Sequence, residues 1–389
     1  MPRRPALDTA RVPGAAATSG RTRFARRCPR TEFAAAIDFP SREHDPTKEA
    51  PLTHYNVLIV GAGLMGRRHL TAFSSIAHDD TTVAISMCDT DEGQLAEIAE
   101  SAPEVGLYSE LDTALDRPWD GVVVATPAHT HLAVGRRVTD AGFPLLMEKP
   151  LALVPDGVTE WTEQTDASGV PVMVAYPLIH SDLVMELRER VRAGDIGTPI
   201  QFSSMRGAHQ PTVRPDYADT YYADLARGGG VVYDILTHSV NMGEWLLGPL
   251  TEVSADTDNH VLDDVDVPDT VHVVGRHGSV MAVYSIGHHQ ELFEFIITVH
   301  GTAGSFRLDL YGDTLSRSSG PNGTWTTVST SEEPHRHWLV RQAQTFLDVA
   351  AGIAAPPCDL LGGLATVRSI AAVIESADTG RRIAIADNA

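Results

Sequence analysis

The chain has 389 residues, 43% of them hydrophobic, which is enough for two domains with a core each and ordinary for a globular protein. A formal charge of −21 argues against nucleic acid or an anionic membrane as a partner, and no apolar run is expected to reach the roughly eighteen residues of a membrane span. Cys28, Cys88 and Cys358 lie too far apart for a metal ribbon or redox motif, so a reducing cytoplasm is the expected compartment.

Residues 1–50 are rich in Ala, Pro and Arg, lack hydrophobic periodicity and carry ten basic against six acidic residues. A disordered leader is expected there; Arg3-Arg4 has no apolar segment after it and does not read as a twin-arginine signal. A nucleotide-binding domain is expected over 51–177. From Asn56 an apolar run leads into Gly61-x-Gly63-x-x-Gly66 and then a helix-compatible stretch. In such a strand-turn-helix the first glycine permits the tight turn, the second lets backbone approach a pyrophosphate, and the third lets helix pack on strand. The helix N-terminus then offers N–H groups to phosphate, so Gly61, Gly63, Leu64, Met65 and Gly66 are candidate cofactor-binding positions. A second apolar run, 83–88, ends at Asp89, where a carboxylate would accept bonds from a ribose and repel a 2′-phosphate. That favours NAD and leaves NADP open, since Arg67 and Arg68 stand close by.

Further on, 94–101 reads as a helix, 107–108 as a short strand, 122–125, 145–147 and 170–175 as strands, and 156–168 as a helix. Strand-helix alternation at this spacing predicts a doubly wound parallel sheet, with ligands beyond the carboxyl ends of its strands. Thr126-Pro127 with His131, Glu148-Lys149 and Tyr176 fall there. Lys48 and Lys149 are the only lysines among 30 basic residues. A lysine kept where arginine is otherwise universal points to a need for a compact ammonium, which guanidinium cannot supply.

After residue 178 short strand-like runs with tight connections predict an α+β domain with an antiparallel sheet over 178–389. The runs are 200–204, 252–255, 270–274, 280–286, 294–299 and 305–310, with helices at 182–193, 230–247, 337–352 and 361–377; the closing helices are free to pack back on the first domain. The acidic run 256–269 reads as a solvated loop. Gly228-Gly229-Gly230 lets backbone pass close to a ligand, and Asp234 and His238 follow at i and i+4. A carboxylate one turn from an imidazole can orient it and hold it near working pH for proton transfer; the plain alternative is a surface helical ion pair. Arg214, Asp216, Tyr217, Tyr221 and Tyr222 precede the glycines and line either a substrate side or an ordinary polar loop. The pairs His129/His131, His288/His289 and His335/His337 lack further ligands, so no metal is expected.

Taken together, the glycine motif with Arg68-His69, Asp89, Thr126-Pro127 with His131, Glu148-Lys149-Pro150, and the stretch from Gly230 to His238 resemble the Gfo/Idh/MocA family of NAD(P)-dependent sugar and polyol oxidoreductases over residues 55–385. The resemblance implies a Rossmann domain followed by an open, mainly antiparallel sheet that often forms an oligomer interface, hence a homo-oligomer. It implies that Lys149 lies near the nicotinamide and substrate hydroxyl, and that His238 is the acid/base with Asp234 beside it. The expected activity is hydride exchange between NAD and a secondary alcohol of a sugar or cyclitol. Some relatives instead cleave glycosides through transient oxidation, and the fold also serves as a cofactor-dependent regulator. Two places depart from the family pattern and are expected to reshape the substrate pocket: the segment Tyr176-Pro177-Leu178-Ile179-His180, where an arginine in an aromatic-x-x-Arg context is common, and Asn241, where an aspartate is common.

Overall fold

The computed structural model describes residues 53–76, 81–320, 322–332 and 337–385; the expected leader and His335 lie outside them. The first domain alternates β1 (Thr53–Val60), α1 (Leu64–Ser74), β2 (Thr81–Cys88), α2 (Glu92–Ser101), β3 (Gly106–Tyr108), α3 (Leu111–Leu115), β4 (Gly121–Val124), α4 (His131–Asp140), β5 (Leu145–Glu148), α5 (Val158–Ser168) and β6 (Val172–Ala175). The strands form one parallel sheet in the order β3-β2-β1-β4-β5-β6. β4, β5 and β6 are buried at every position, which is why they read as unbroken apolar runs rather than alternating ones. Asp91 caps α2 through the Gly93 and Gln94 amides, and Gly169, in the left-handed region, ends α5.

The second domain contains α6 (Asp182–Arg192), β7 (Pro199–His209), the single turn α7 (Gln210–Val213), a π-helical turn at Val232–Leu236 and α8 (Thr237–Leu247). There follow β8 (Glu252–Asp258), β9 (Thr270–His277), β10 (Val280–Gly287), β11 (His289–Gly301), β12 (Gly304–Asp309), β13 (Thr314–Ser318), β14 (Thr326–Thr330), α9 (His337–Ala350), α10 (Leu360–Thr379) and β15 (Ile383–Ala384). The sheet runs β14-β13-β12-β11-β7-β10-β9-β8-β15 and is antiparallel except for the β7–β10 pair. One face is covered: Phe202, Tyr284, Phe295, Ile297 and Val299 join Leu236 and Val240 in a single core.

The closing helices serve both domains. Phe346 of α9 lies in the core with Val57 and Ile59, while Leu364 and Val367 of α10 lie with Leu145 and Val174. The edge of the first sheet is also tied to the approach to α10, by a bond from Val174 N–H to the Cys358 carbonyl (2.8 Å). Contrary to the expectation from the sequence, α10 is apolar and long enough to match a membrane span over its 20 residues. Its inward face is spent on these cores, with Gly363 pressed against Leu151 and Val174.

The acidic stretch 256–269 also differs from the solvated loop expected. Asp269 is fully buried and accepts bonds from the amides of His260, Val261 and Leu262 and from the Thr270 hydroxyl. Around that anchor Leu262, Val265 and Val267 pack on Tyr222 in a small core of their own.

Candidate active site

The glycine turn is built for close backbone approach. Gly61 has φ +106, and a β-carbon there would stand 2.6 Å from the Ala125 carbonyl oxygen of the neighbouring strand's exit. A β-carbon on Gly66 would sit 1.8 Å from the Gly61 oxygen, so α1 crosses the turn at a distance only glycine allows. A β-carbon on Gly63 would meet only the Gln94 side chain, at 3.9 Å, and Gly63 leads α1 with no side-chain cap, leaving Leu64 and Met65 at a helix start whose dipole favours an anion. Asp89 reaches this turn from the end of β2, accepting from Ala62 N–H at 2.6 Å and Asp91 N–H at 2.9 Å. Each carboxylate oxygen retains acceptor capacity for a ribose. Arg67 is held by the Ala62 carbonyl and by Glu97, which turns it away from the role of a free phosphate ligand. These features fit a dinucleotide.

The next strand ends place the polar residues, though not all as the sequence implied. Thr126 and Pro127 are partly exposed where β4 ends. His131, by contrast, is buried, with its ring nitrogens 2.7 Å from the Pro150 carbonyl and 2.8 Å from the Thr126 carbonyl. Both ring nitrogens face carbonyls of the protein and the neutral ring donates to one of them, so His131 ties together the chain after β4 and after β5 and turns neither nitrogen toward a cofactor. Glu148 is likewise buried: it accepts from His69 at 2.8 Å and from Lys149 N–H at 3.0 Å. Burial would raise its pKa, but the His69 bond and charge hold the carboxyl below its ordinary value. Glu148 therefore positions Lys149 from behind. The bond from Lys149 to Pro150 is cis.

Lys149 crosses to the other domain. Its Nζ donates to the Asp234 carbonyl at 2.8 Å and to Asp234 Oδ1 at 3.0 Å, where 12% and 13% of the two side chains are exposed. Burial by itself would lower the ammonium, yet the charge of Asp234 wins and holds it above its ordinary value. Asp234, which burial would push up, is held well below the carboxylate range by Lys149 and then Arg214. Tyr221 OH lies 3.4 Å from the same oxygen, and Arg214 Nη1 is 3.5 Å from Tyr221 OH.

The pairing of Asp234 with His238 expected from i,i+4 spacing is not the one formed. Asp234 lies within the π-helical turn that leads into α8, and its carboxylate goes to Lys149. His238 instead stands edge-on to Tyr176, ring centroids 5.9 Å apart, with its Nδ1 buried and without a hydrogen-bond partner. Burial first, then the charges of Lys149 and Arg206, hold this imidazole well below its ordinary value, so it is neutral rather than poised at working pH.

Two tyrosines expected to face substrate belong to the interior. Tyr176 is 1% exposed with its OH 3.1 Å from Thr237 Oγ1, and Tyr222 is fully buried against His288 Nδ1 at 2.5 Å. Tyr217 donates to the Asp263 carbonyl at 3.1 Å, and Asp216 is exposed. Of the loop residues it is thus Arg214 and Tyr221 that meet Lys149 and Asp234. Of the departures from the family pattern, Asn241 reaches Thr366 and Cys358 under α10, and in the 176–180 segment Ile179 and His180 are buried, His180 beside Thr345. Sequence reasoning passed over Arg206, cited His69 only within the family resemblance and weighed His288 only as one of a metal-like pair. Only His69 carried a signal, in its place next to the glycine turn.

Family models match in two parts that together cover well over half of the chain. Residues 55–176 match the oxidoreductase family's NAD-binding Rossmann fold, and residues 184–307 match the Gfo/Idh/MocA C-terminal domain. Inositol 2-dehydrogenase 2 of Saccharopolyspora erythraea is 30% identical over 196 residues, which is 50% of this chain and 54% of that enzyme's length. D-apiose dehydrogenase of Paraburkholderia graminis is 25% identical over 304 residues, 72% of this chain and 78% of that one. Levoglucosan dehydrogenase in complex with NADH and levoglucosan superposes with a TM-score of 0.78 over 86% of this chain and all of its own, at 19% identity, a likeness of fold. With its NAD-binding first domain and its matching second, the chain belongs to the Gfo/Idh/MocA family of oxidoreductases.

Proposed function

We propose that the chain catalyses reversible oxidation of a secondary alcohol on a polyhydroxylated small molecule, a sugar, sugar derivative or cyclitol, with NAD as the redox partner. The observation that carries this reading is the bridge from Lys149 to Asp234, which sets a charged ammonium between the end of β5 and the π-helical turn, near neutral His238. Nicotinamide, when bound, supplies the acceptor for hydride from the carbinol carbon. Lys149 donates to the alcohol oxygen and stabilises charge as it develops there. His238, neutral and with Nδ1 unpartnered, takes the hydroxyl proton. Asp234 keeps Lys149 charged and aimed, and Tyr221 and Arg214 extend the polar wall toward neighbouring hydroxyls.

Asp89, together with the tethering of Arg67, supports NAD over NADP. The relatives named as inositol and apiose dehydrogenases support a polyol or sugar as substrate. A homo-oligomer in the cytoplasm completes the reading; Met205, Val274 and Met281, 42–51% exposed on the uncovered face of the second sheet, support self-association there. Absorbance of reduced nicotinamide against a panel of sugars and inositols tests the reaction, comparing wild type with Lys149→Ala and His238→Ala. Unchanged turnover in both variants sinks the assigned roles.

A further inference from the structure

Arg206 is a cation that the proposed reaction does not use. It lies on β7 with inward parity: Phe202, Ser204 and Ala208 alternate with it on the covered face of the sheet, and Gln201 and Met205 point the other way. Across the sheet it pairs with Ile286 of β10 and Phe295 of β11, both buried, and its guanidinium lies 5.0 Å from the Phe295 ring centroid. Three residues further on β7 ends and hands the chain to the 210–229 segment that carries Arg214 and Tyr221. Arg206 is close enough to His238 and His288 for its charge to lower the basicity of both.

Its partners are missing. Nε and Nη1 are both shut off from solvent, and neither has an acceptor among the described residues. The acids of the site and of the neighbouring loop are committed within the protein. Asp234 holds Lys149, Glu148 holds His69, and Asp269 is taken up by three amides and a hydroxyl. Glu294, the acid beside Phe295, has the opposite parity on β11. A partly buried guanidinium packed on an aromatic ring, with two of its donors closed to water and unpaired, is costly unless an acceptor arrives with the ligand, and its planar group matches a carboxylate.

We propose that Arg206 is a specificity-determining residue that selects a polyhydroxylated acid, such as an aldonate or uronate, over its neutral counterparts. The inference rests on the dehydrogenase reading for the placement of the substrate beside His238. Its test is separable from turnover. Isothermal titration in saturating NAD compares D-gluconate and D-glucuronate with D-glucitol and D-glucose, on wild type, Arg206→Met and Arg206→Lys. The wild type is expected to prefer the acids by about ten- to a hundredfold, the range of a charge-assisted pair, and Arg206→Met to lose that preference. Arg206→Lys, which keeps the charge without the fork, retains part of it and guards against a misfolded methionine variant. No acid preference in the wild type, or a preference that survives in Arg206→Met, overturns the assignment; stronger binding of D-glucose 6-phosphate than of either acid overturns the carboxylate class. An acid preference abolished by Arg206→Met supports the assignment even if no panel member is oxidised, in which case the dehydrogenase reading is the one that fails.

Discussion

Replacing Asp234 by Asn isolates what the carboxylate does for Lys149. The two groups are 3.0 Å apart, and at an effective dielectric of about 20 their attraction is about 5 kcal/mol. Removing one partner of a mostly buried pair costs about 3–5 kcal/mol, and the small exposure of both side chains puts this site near the lower figure, about 3 kcal/mol. The sign with pH follows from the direction of the shift. Lys149 is held above 10.5 in the folded protein, so its pairing stabilises fully below that value and is lost as pH climbs through the folded one. In Asp234→Asn the largest influence that raises the ammonium is gone while burial remains, so Lys149 is expected to titrate lower than in the wild type. The composition makes this readable. With Lys48 and Lys149 the only lysines in the chain, 13C-labelled lysine gives two side-chain resonances, and Lys149→Arg assigns them. The wild-type signal is expected to hold steady to above pH 10.5 and the variant signal to move at lower pH than the wild type, with a stability loss of about 3 kcal/mol in urea unfolding at pH 7. Identical titrations in the two proteins refute the claim that Asp234 keeps Lys149 charged.

His238, held low by burial, stays neutral under mildly acidic conditions, so the acid limb of kcat/KM for alcohol oxidation is expected below pH 6.5; His238→Asn lowers kcat by about 10²–10⁴. A limb at or above pH 6.5 that belongs to His238 contradicts the geometry. Glu244 accepts from Thr366 and Ser369 between α8 and α10, and burial raises its carboxyl from 4.5 to about 7. Its contribution is therefore complete below pH 4.5 and lost as pH rises to about 7, a loss of about 3 kcal/mol that Glu244→Gln should abolish in urea midpoints compared at pH 5 and pH 8. Gly61→Ala must fit a β-carbon 2.6 Å from the Ala125 oxygen at φ +106; NAD affinity by fluorescence titration should fall at least about tenfold, and retained affinity would show that the turn opens freely. Asp89→Ser removes the carboxylate facing the ribose side, and the ratio of kcat/KM for NAD to that for NADP should fall.

The first sheet was legible because each of its strands carries a local signal. Buried parallel strands must be apolar on both faces, and Val57–Val60, Val122–Val124 and Leu145–Met147 have no other reading once helix-compatible segments separate them. The far edge of the second sheet was not. β13 and β14 are built from Thr, Ser and Arg around one buried Leu315, with Val328 partly exposed at 37%, and a strand that buries so little leaves no alternation to find. The membrane-length apolarity of α10 was missed for a related reason: Arg368, Glu375 and Asp378 break its run, while its buried face is continuous in space.

The site was legible where function and local pattern coincide, and misleading where spacing stood in for contact. Lys149 announced itself by being a lysine at all, and the glycine turn by its order. Asp234 and His238 share a helical stretch, so i,i+4 spacing joined them; one π-helical turn was enough to send the carboxylate to Lys149 instead. Nothing in the sequence marks a π turn. The tyrosines before the glycine run fitted a substrate side or an ordinary polar loop, and Tyr222 serves the Asp269-anchored loop; Tyr176, at the end of β6, backs His238. Arg206 left no local signal because its neighbours are assembled from three strands. Its inward parity is visible in β7 only after Phe202 and Ala208 are known to be buried, and its lack of a counter-ion only after Asp234, Glu148 and Asp269 are each assigned elsewhere. A sequence names the groups that chemistry requires; which charge is left over is decided by pairing, and the leftover charge is where substrate selection has room to act.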